Sequence, residues 1–297
     1  MNEGLRKFYN KLLPFLELAK VRITFFVAFS TAVGFIQFAG EISLVMFFNS
    51  MGVFILACGS SAINHYQERA TDALMDRTKN RPLPSGKISA SVGLAYSIVL
   101  LIIGSVAIYL SADFTALILG WIAMLWYNLF YTPLKKQYAL AVVPGSVVGA
   151  IPPVIGWVSA GGSVWDPHAV ALALFFFIWQ IPHFWLLLLI FGQDYEKAGF
   201  PTLTKIFSDQ QLSRITFTWI VALAISSLLI PLFSFSAHIY TVVVLFGLGA
   251  WLVYKSRKIV LDYINKVVFK RAFYLINIYV LVVVILISLD KLILDNF

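Results

Sequence analysis

The chain alternates nine times between long apolar runs and polar connections, and this limits its fold more than any other feature. A helix that crosses the hydrocarbon core of a bilayer needs about 20 apolar residues. Runs of that order are expected to form helices at 22–40, 42–63, 89–110, 114–131, 139–159, 168–190, 213–236, 238–254 and 272–290. Inside a bilayer every backbone polar group needs a partner, so a chain of such runs is solved by helices. The expected class is an all-α membrane protein: residues 1–21 at the membrane surface, 22–290 a single nine-helix domain, and 291–297 a short tail. Pro144, Pro152, Pro153 and Pro182 lie in the fifth and sixth runs and are expected to bend or break them. Only 12% of the 297 residues are charged and 60% are hydrophobic, against about 25% charged in soluble domains. Disorder, a disulfide scaffold and nucleic-acid binding are excluded as leading readings, even at a net charge of +8. The single cysteine, Cys58, cannot form an intramolecular disulfide.

Every Lys and Arg except Lys291 falls at or before Arg22, where the first run starts, or on or at the edge of the connections after the second, fourth, sixth and eighth. The positive-inside rule then puts the N-terminus in the cytoplasm and the C-terminus outside. The N-terminal residues include Glu3 and Glu17 and show no signal-type cleavage pattern and no Arg/Ser-rich transit composition, which favours a bacterial inner membrane over a mitochondrial one. The acid-bearing connections after runs 2 and 6 are both cytoplasmic in this topology, so chemistry is expected on that side.

The strongest local signal is Asn64-His-Tyr-Gln-Glu68-Arg-Ala-Thr-Asp72-Ala-Leu-Met-Asp76. Four residues turn a helix by about 400°, so Asn64, Glu68, Asp72 and Asp76 are expected on one face of a helix that continues to Arg81 before Pro82. An oxygen row at the mouth of a membrane bundle suits magnesium, which takes hard oxygen ligands and is held by one or two carboxylates plus substrate phosphates. Arg69, Arg77 and Arg81 form a neighbouring stripe of fork-shaped donors for a diphosphate. After run 6, Gln193-Asp194-Tyr-Glu196-Lys197 offers Asp194 as a further metal ligand and Lys197 as a phosphate contact. His183, within run 6, is open to three readings: tetrapyrrole ligand, proton shuttle or hydrogen-bonded core residue. His65, His168 and His238 are read as structural. Tyr127, Tyr131 and Trp185 are candidates for an aromatic pocket wall that shields a carbocation.

These motifs resemble the UbiA superfamily of intramembrane prenyltransferases, and within it the haem-prenylating branch. The stretches that carry the resemblance are Asn64-x3-Glu68-x3-Asp72, Arg77-Thr-Lys-Asn80-Arg81-Pro-Leu, Tyr131-Thr-Pro-Leu-Lys-Lys136, Gly149-Ala-Ile-Pro-Pro153, Pro182-His-Phe-Trp185 and Asp194-Tyr-x-x-Ala-Gly199-x-Pro201. Val21 and Gln193 depart from the pattern, standing where the family usually has a proline and often has an acid. The resemblance implies transfer of the farnesyl group of farnesyl diphosphate to a vinyl group of haem b, giving haem O and diphosphate for terminal-oxidase biogenesis. It implies Mg2+ held by Asn64, Glu68, Asp72 and Asp194, and phosphate oxygens clamped by Arg77, Arg81, Lys135, Lys136 and Lys197. It places the haem propionates near Lys20 or Arg22, with His183 touching the iron or orienting the ring. Haem A synthase or oxidase assembly proteins are the partners it suggests. Two other readings stay open: a prenyltransferase with a hydroxybenzoate or naphthoate acceptor, and a transporter, which would hold its ionisable residues nearer the bilayer midplane.

Overall fold

Each apolar run forms a helix in the computed structural model, which describes residues 3–233 and 238–293. A surface helix, α1 (Glu3–Leu18), leads into α2 (Val21–Ala39), α3 (Leu44–Asp72) and α4 (Ala90–Ser111). The fourth span is composite: α5 (Phe114–Leu125), a π-helical turn (Trp126–Tyr131) and α6 (Thr132–Leu134). The fifth joins α7 (Val142–Gly145) to α8 (Val147–Ser159). Then come α9 (Pro167–Lys197), α10 (Asp209–Leu232), α11 (Ile239–Ser256) with α12 (Lys258–Leu261), and α13 (Lys266–Ile293). Among the described residues nine helices are long and apolar enough to cross a membrane, so the chain is an integral membrane protein. The expected end of the seventh run at 236 and the tail from 294 lie outside the described residues.

Polar residues set where the spans begin. The side chains of Ser43, Ser89 and Asp113 accept hydrogen bonds from the amides of Met46, Val92 and Ala116. Ser208 and Gln211 form a reciprocal capping box at the start of α10. Each satisfies amides that the first helical turn leaves without partners.

Two expectations are corrected. The helix from Leu44 ends at Asp72 rather than near Arg81, and turns follow. Thr78 donates its hydroxyl to the Asp72 carbonyl at 2.8 Å, and Arg81 reaches the Asp72 carboxylate, so the chain folds back on the helix end. Asp76 is therefore off the helix and out of the oxygen row. Pro182 does not break the sixth span: α9 runs unbroken for 31 residues. Neighbouring helices support a span whose ladder loses one bond at proline. The fifth span is interrupted at Ser146, two residues after Pro144, whereas Pro152 and Pro153 lie inside an unbroken α8.

The larger buried cluster joins α9, α10, α11 and α13 through Phe175, Leu186, Leu223, Leu245 and Tyr279; a smaller one joins α3, α4, α5 and α8 through Val53, Leu56, Ile108, Leu117 and Ile155. The first and last spans also meet, and Gln37 on α2 donates to the Ile287 carbonyl on α13 at 2.8 Å. The outer faces stay apolar, with Ile102, Leu110, Val243 and Tyr240 exposed, as lipid requires.

α2 and α8 cross where glycine faces backbone. A Cβ on Gly34 would overlap the Pro153 carbonyl, and one on Gly156 would overlap the Thr31 carbonyl. Small residues allow such approach between membrane helices. Gly34→Ala is expected to lower stability by about 1–3 kcal/mol, the cost of overpacking a well-packed contact. The check is the thermal midpoint in detergent, and a wild-type midpoint would mean that the crossing opens freely.

Candidate active site

The second and fourth spans build one end of the bundle together. On α3, Ser60, Asn64 and Glu68 are spaced by four and lie on one stripe. Each meets a residue of the fourth span. Ser60 donates to Asn128 Oδ1 at 2.6 Å, and Asn128 Nδ2 returns a bond to the Ser60 carbonyl. Asn64 Nδ2 donates to Thr132 Oγ1 at 3.0 Å, and Lys135 Nζ lies 2.7 Å from Glu68 Oε1. Gln67 adds a bond to the Asn128 carbonyl. The π-helical turn lets Thr132 donate back to the carbonyl of Tyr127. Having given its proton there, Thr132 can only accept from Asn64. The amide orientation of Asn64 is thereby fixed, with its oxygen turned the other way.

That oxygen faces Lys20, whose Nζ donates to it at 3.1 Å. Lys20 sits just before α2 in the left-handed backbone region (φ 47°), uncommon for a residue with a side chain. Such a conformation is kept where the surroundings impose it. Burial pulls the Lys20 ammonium down to about 7, with Arg81 and Lys135 adding to the fall and Glu68 and Asp72 opposing it. Burial also acts against the Lys135 ammonium, yet Glu68 outweighs it and the net shift is upward. Arg81 holds Asp72 Oδ2 at 2.8 Å. Glu68 and Asp72 are 6% and 2% exposed, so burial makes a cationic partner necessary for each carboxylate; the neutral amide of Asn64, 2% exposed, needs only hydrogen-bond partners. Three oxygens in a row thus face three cationic side chains.

Asp76 stands apart from the row in which it was expected. It is exposed and bound by Lys79 at 2.8 Å and Lys197 at 3.0 Å, whose hydrogen bonds hold its carboxyl down at about 2. Arg77 donates to Tyr195 Oη and lies over the Phe191 and Tyr195 rings. Met75 packs with Ala198 and Phe200. Together these contacts clasp the connection after α3 to the end of α9. Lys197, expected at a phosphate, belongs to the same clasp. Asp76→Ala is expected to leave turnover within about fivefold of wild type, since exposed ion pairs contribute about 0–1 kcal/mol. A loss of several hundredfold in steady-state kinetics would restore Asp76 as a ligand.

Asp194 lies in the last turn of α9, half-buried. Among the described residues no three His, Cys, Asp or Glu side chains form a ready-made metal set. Lys136 and Arg22 are exposed, and Lys20 joins the oxygen row instead of standing beside Arg22 at the surface. His183 lies within α9, its Nδ1 2.9 Å from Asn277 Oδ1 on α13. Next to Lys135 opens a cleft lined by Tyr131, Tyr138, Phe184, Trp185, Tyr195 and Phe200, with about 70 Å³ of free space. Small-molecule pockets run to roughly 300–1,000 Å³, so a larger guest requires it to widen. Tyr131 and Trp185 line it as a pocket wall, and Tyr127 stacks on Tyr131.

The sequence reading missed Ser60, Asn128 and Thr132. Ser60 extends the four-residue period one step upstream, and Asn128 is an amide within an apolar run, a costly placement without a partner.

The protein is a helical membrane bundle that carries buried oxygen-bearing side chains and surrounding cations at one end. The UbiA prenyltransferase family profile matches residues 24–287, and the chain belongs to that family. It is 42% identical to a protoheme IX farnesyltransferase of Geobacter sulfurreducens over 186 residues, 63% of this chain and 68% of the relative. Its fold matches a solved digeranylgeranylglyceryl phosphate synthase structure (TM-score 0.75, 21% identity, 95% of this chain and 99% of the other). It also matches a UbiA homologue of Archaeoglobus fulgidus bound to GPP and Mg2+ (TM-score 0.64, 18% identity, 93% and 99%).

Proposed function

We propose that this chain transfers a farnesyl group from farnesyl diphosphate to a vinyl group of haem b, yielding haem O and diphosphate. It would act in a bacterial inner membrane, with the end that carries the oxygen row facing the cytoplasm. The single observation that carries the diphosphate half of this reading is the buried row Asn64, Glu68 and Asp72 set against Lys20, Lys135 and Arg81. The likeness to relatives named protoheme IX farnesyltransferase supports the acceptor.

The donor set fits Mg2+: hard oxygens, two of them carboxylates, with the Asn64 oxygen turned into the cluster. Asn64, Glu68 and Asp72 would hold the metal, with Asp194 joining from the end of α9. The cations now facing the row satisfy those oxygens, and two carboxylates plus phosphates is the usual magnesium arrangement. When bound, Mg2+ supplies neutralisation of the charge that grows on the departing diphosphate.

The chain's own residues do the rest. Arg81 presents a planar fork suited to two phosphate oxygens. Lys135 adds a point charge inside a low-dielectric site, where it acts more strongly than in water, and Lys20, pulled down by burial, would be held in its charged form by a diphosphate beside it. Arg77 sits on the clasp at the mouth, its guanidinium between the Tyr195 hydroxyl and open solvent. Tyr131, Phe184 and Trp185 offer aromatic faces toward an allylic cation and exclude water from it.

The test is a product assay on purified protein in detergent, given Mg2+, farnesyl diphosphate and either haem b or 4-hydroxybenzoate. A haem product heavier by one farnesyl and one water, lost on adding EDTA, is the expected result by mass spectrometry. Prenylation of the aromatic acid alone would overturn the acceptor.

A further inference from the structure

His183 and Asn277 form a directional pair within the membrane bundle. Asn277 Nδ2 donates to the Phe273 carbonyl one turn earlier on α13. A carbonyl only accepts, so the amide nitrogen must face it and Oδ1 must face His183. Oδ1 in turn only accepts, so the ring nitrogen 2.9 Å away, Nδ1, carries the proton and donates. The neutral imidazole then keeps its lone pair on Nε2. Nε2 makes no hydrogen bond among the described residues, and it is not sealed off as Trp179 Nε1 and the His65 nitrogens are. Around the ring stand Trp179, Phe184 and Phe273, with centroids 5.1, 5.4 and 4.7 Å away. Phe184 also meets Tyr131 and lines the aromatic cleft beside Lys135. A lone-pair nitrogen among flat aromatic faces suits a planar macrocycle that carries a metal.

We propose that Asn277 is a positioning residue that fixes the His183 tautomer, so that Nε2 is the axial ligand to the iron of the bound acceptor. The proposal rests on the haem-acceptor reading above. It separates the two ends of the site: Asn64, Glu68 and Asp72 serve the diphosphate, and His183 with Asn277 orients the acceptor. Orientation matters because the two vinyl groups lie on one side of the macrocycle, and an iron held on one axis leaves chiefly rotation in the plane to be set.

The test uses the full chain in detergent, titrated with haem b and read by its Soret band and, in the ferrous state, by the iron–histidine stretch in resonance Raman. Wild type is expected to bind one haem with a histidine-ligated spectrum. His183→Ala loses that spectrum. Asn277→Leu weakens haem binding by about tenfold to a hundredfold, the usual range for losing a partner behind a metal-binding histidine. Its affinity for a non-hydrolysable farnesyl diphosphate analogue stays at the wild-type value, which guards against general misfolding. Asn277→Asp keeps haem bound and moves the iron–histidine stretch to higher frequency, because a carboxylate draws the Nδ1 proton more strongly; a purely structural residue would not shift it. A wild-type spectrum in His183→Ala, or an unmoved stretch in Asn277→Asp, overturns the proposal. If those spectra are unchanged while the wild type converts haem, only this inference fails. If the wild type neither binds nor converts haem, the acceptor reading fails with it.

Discussion

Asp72→Asn is expected to reduce turnover by about 10²–10³-fold or more, the scale seen when one group that stabilises developing charge is removed. The substitution keeps the shape and still accepts from Arg81, whose Nη1 lies 2.8 Å from Oδ2. It removes the negative charge that a magnesium ion needs at this position. The Thr78 bond goes to the backbone carbonyl of Asp72, not its side chain, so the fold-back after α3 survives the change. Loss of turnover with the fold retained is the expected pair of results, because Arg81 keeps its hydrogen bond to the amide and, 23% exposed, keeps access to solvent. Wild-type turnover would remove Asp72 from the metal site.

Lys135→Met should act on stability as well as activity. Glu68 is 6% exposed and Lys135 lies against it. Removing one partner of a buried ion pair leaves the other charge stranded, at a cost of roughly 3–5 kcal/mol. The thermal midpoint is expected to fall, and Glu68→Gln in the same chain is expected to restore most of it. Millimolar Mg2+ should also restore part of it, because the metal takes the place of the ammonium and binding to the folded state alone stabilises it. A midpoint that ignores Mg2+ would mean that Glu68 is closed to the metal.

The nine spans were legible because lipid demands long apolar runs and the chain supplies them with polar caps between. Helix ends were less legible. The four-residue period of Asn64, Glu68 and Asp72 is a helical signal that happens to reach Asp76, but the bonds from Thr78 and Arg81 that end the helix at Asp72 come from residues further on. Periodicity cannot register such a fold-back. The oxygen row itself was legible, being local. Its partners were not: Lys20 is 44 residues from Asn64, and Thr132 is 68. Lys20 looked like a surface cation beside Arg22, and only the packing of α2 on α3 brings it inside. Asn277, like Asn128, is an amide within an apolar run, which signals that a partner exists without naming it.

The π-helical turn at Trp126–Tyr131 has a consequence for how this site can change. Each residue added to or removed from a helix rotates everything beyond it by about 100°, and π turns behave as local widenings of an α-helix. Asn128, Thr132 and Lys135 match Ser60, Asn64 and Glu68 only with this widened turn in place. Shortening the segment by one residue, with every side chain of the seam retained, would swing Lys135 away from Glu68. For this span, residue count is as much a determinant of activity as residue identity, and a sequence that keeps all six side chains but drops one position between them would spell the same site and fail to assemble it.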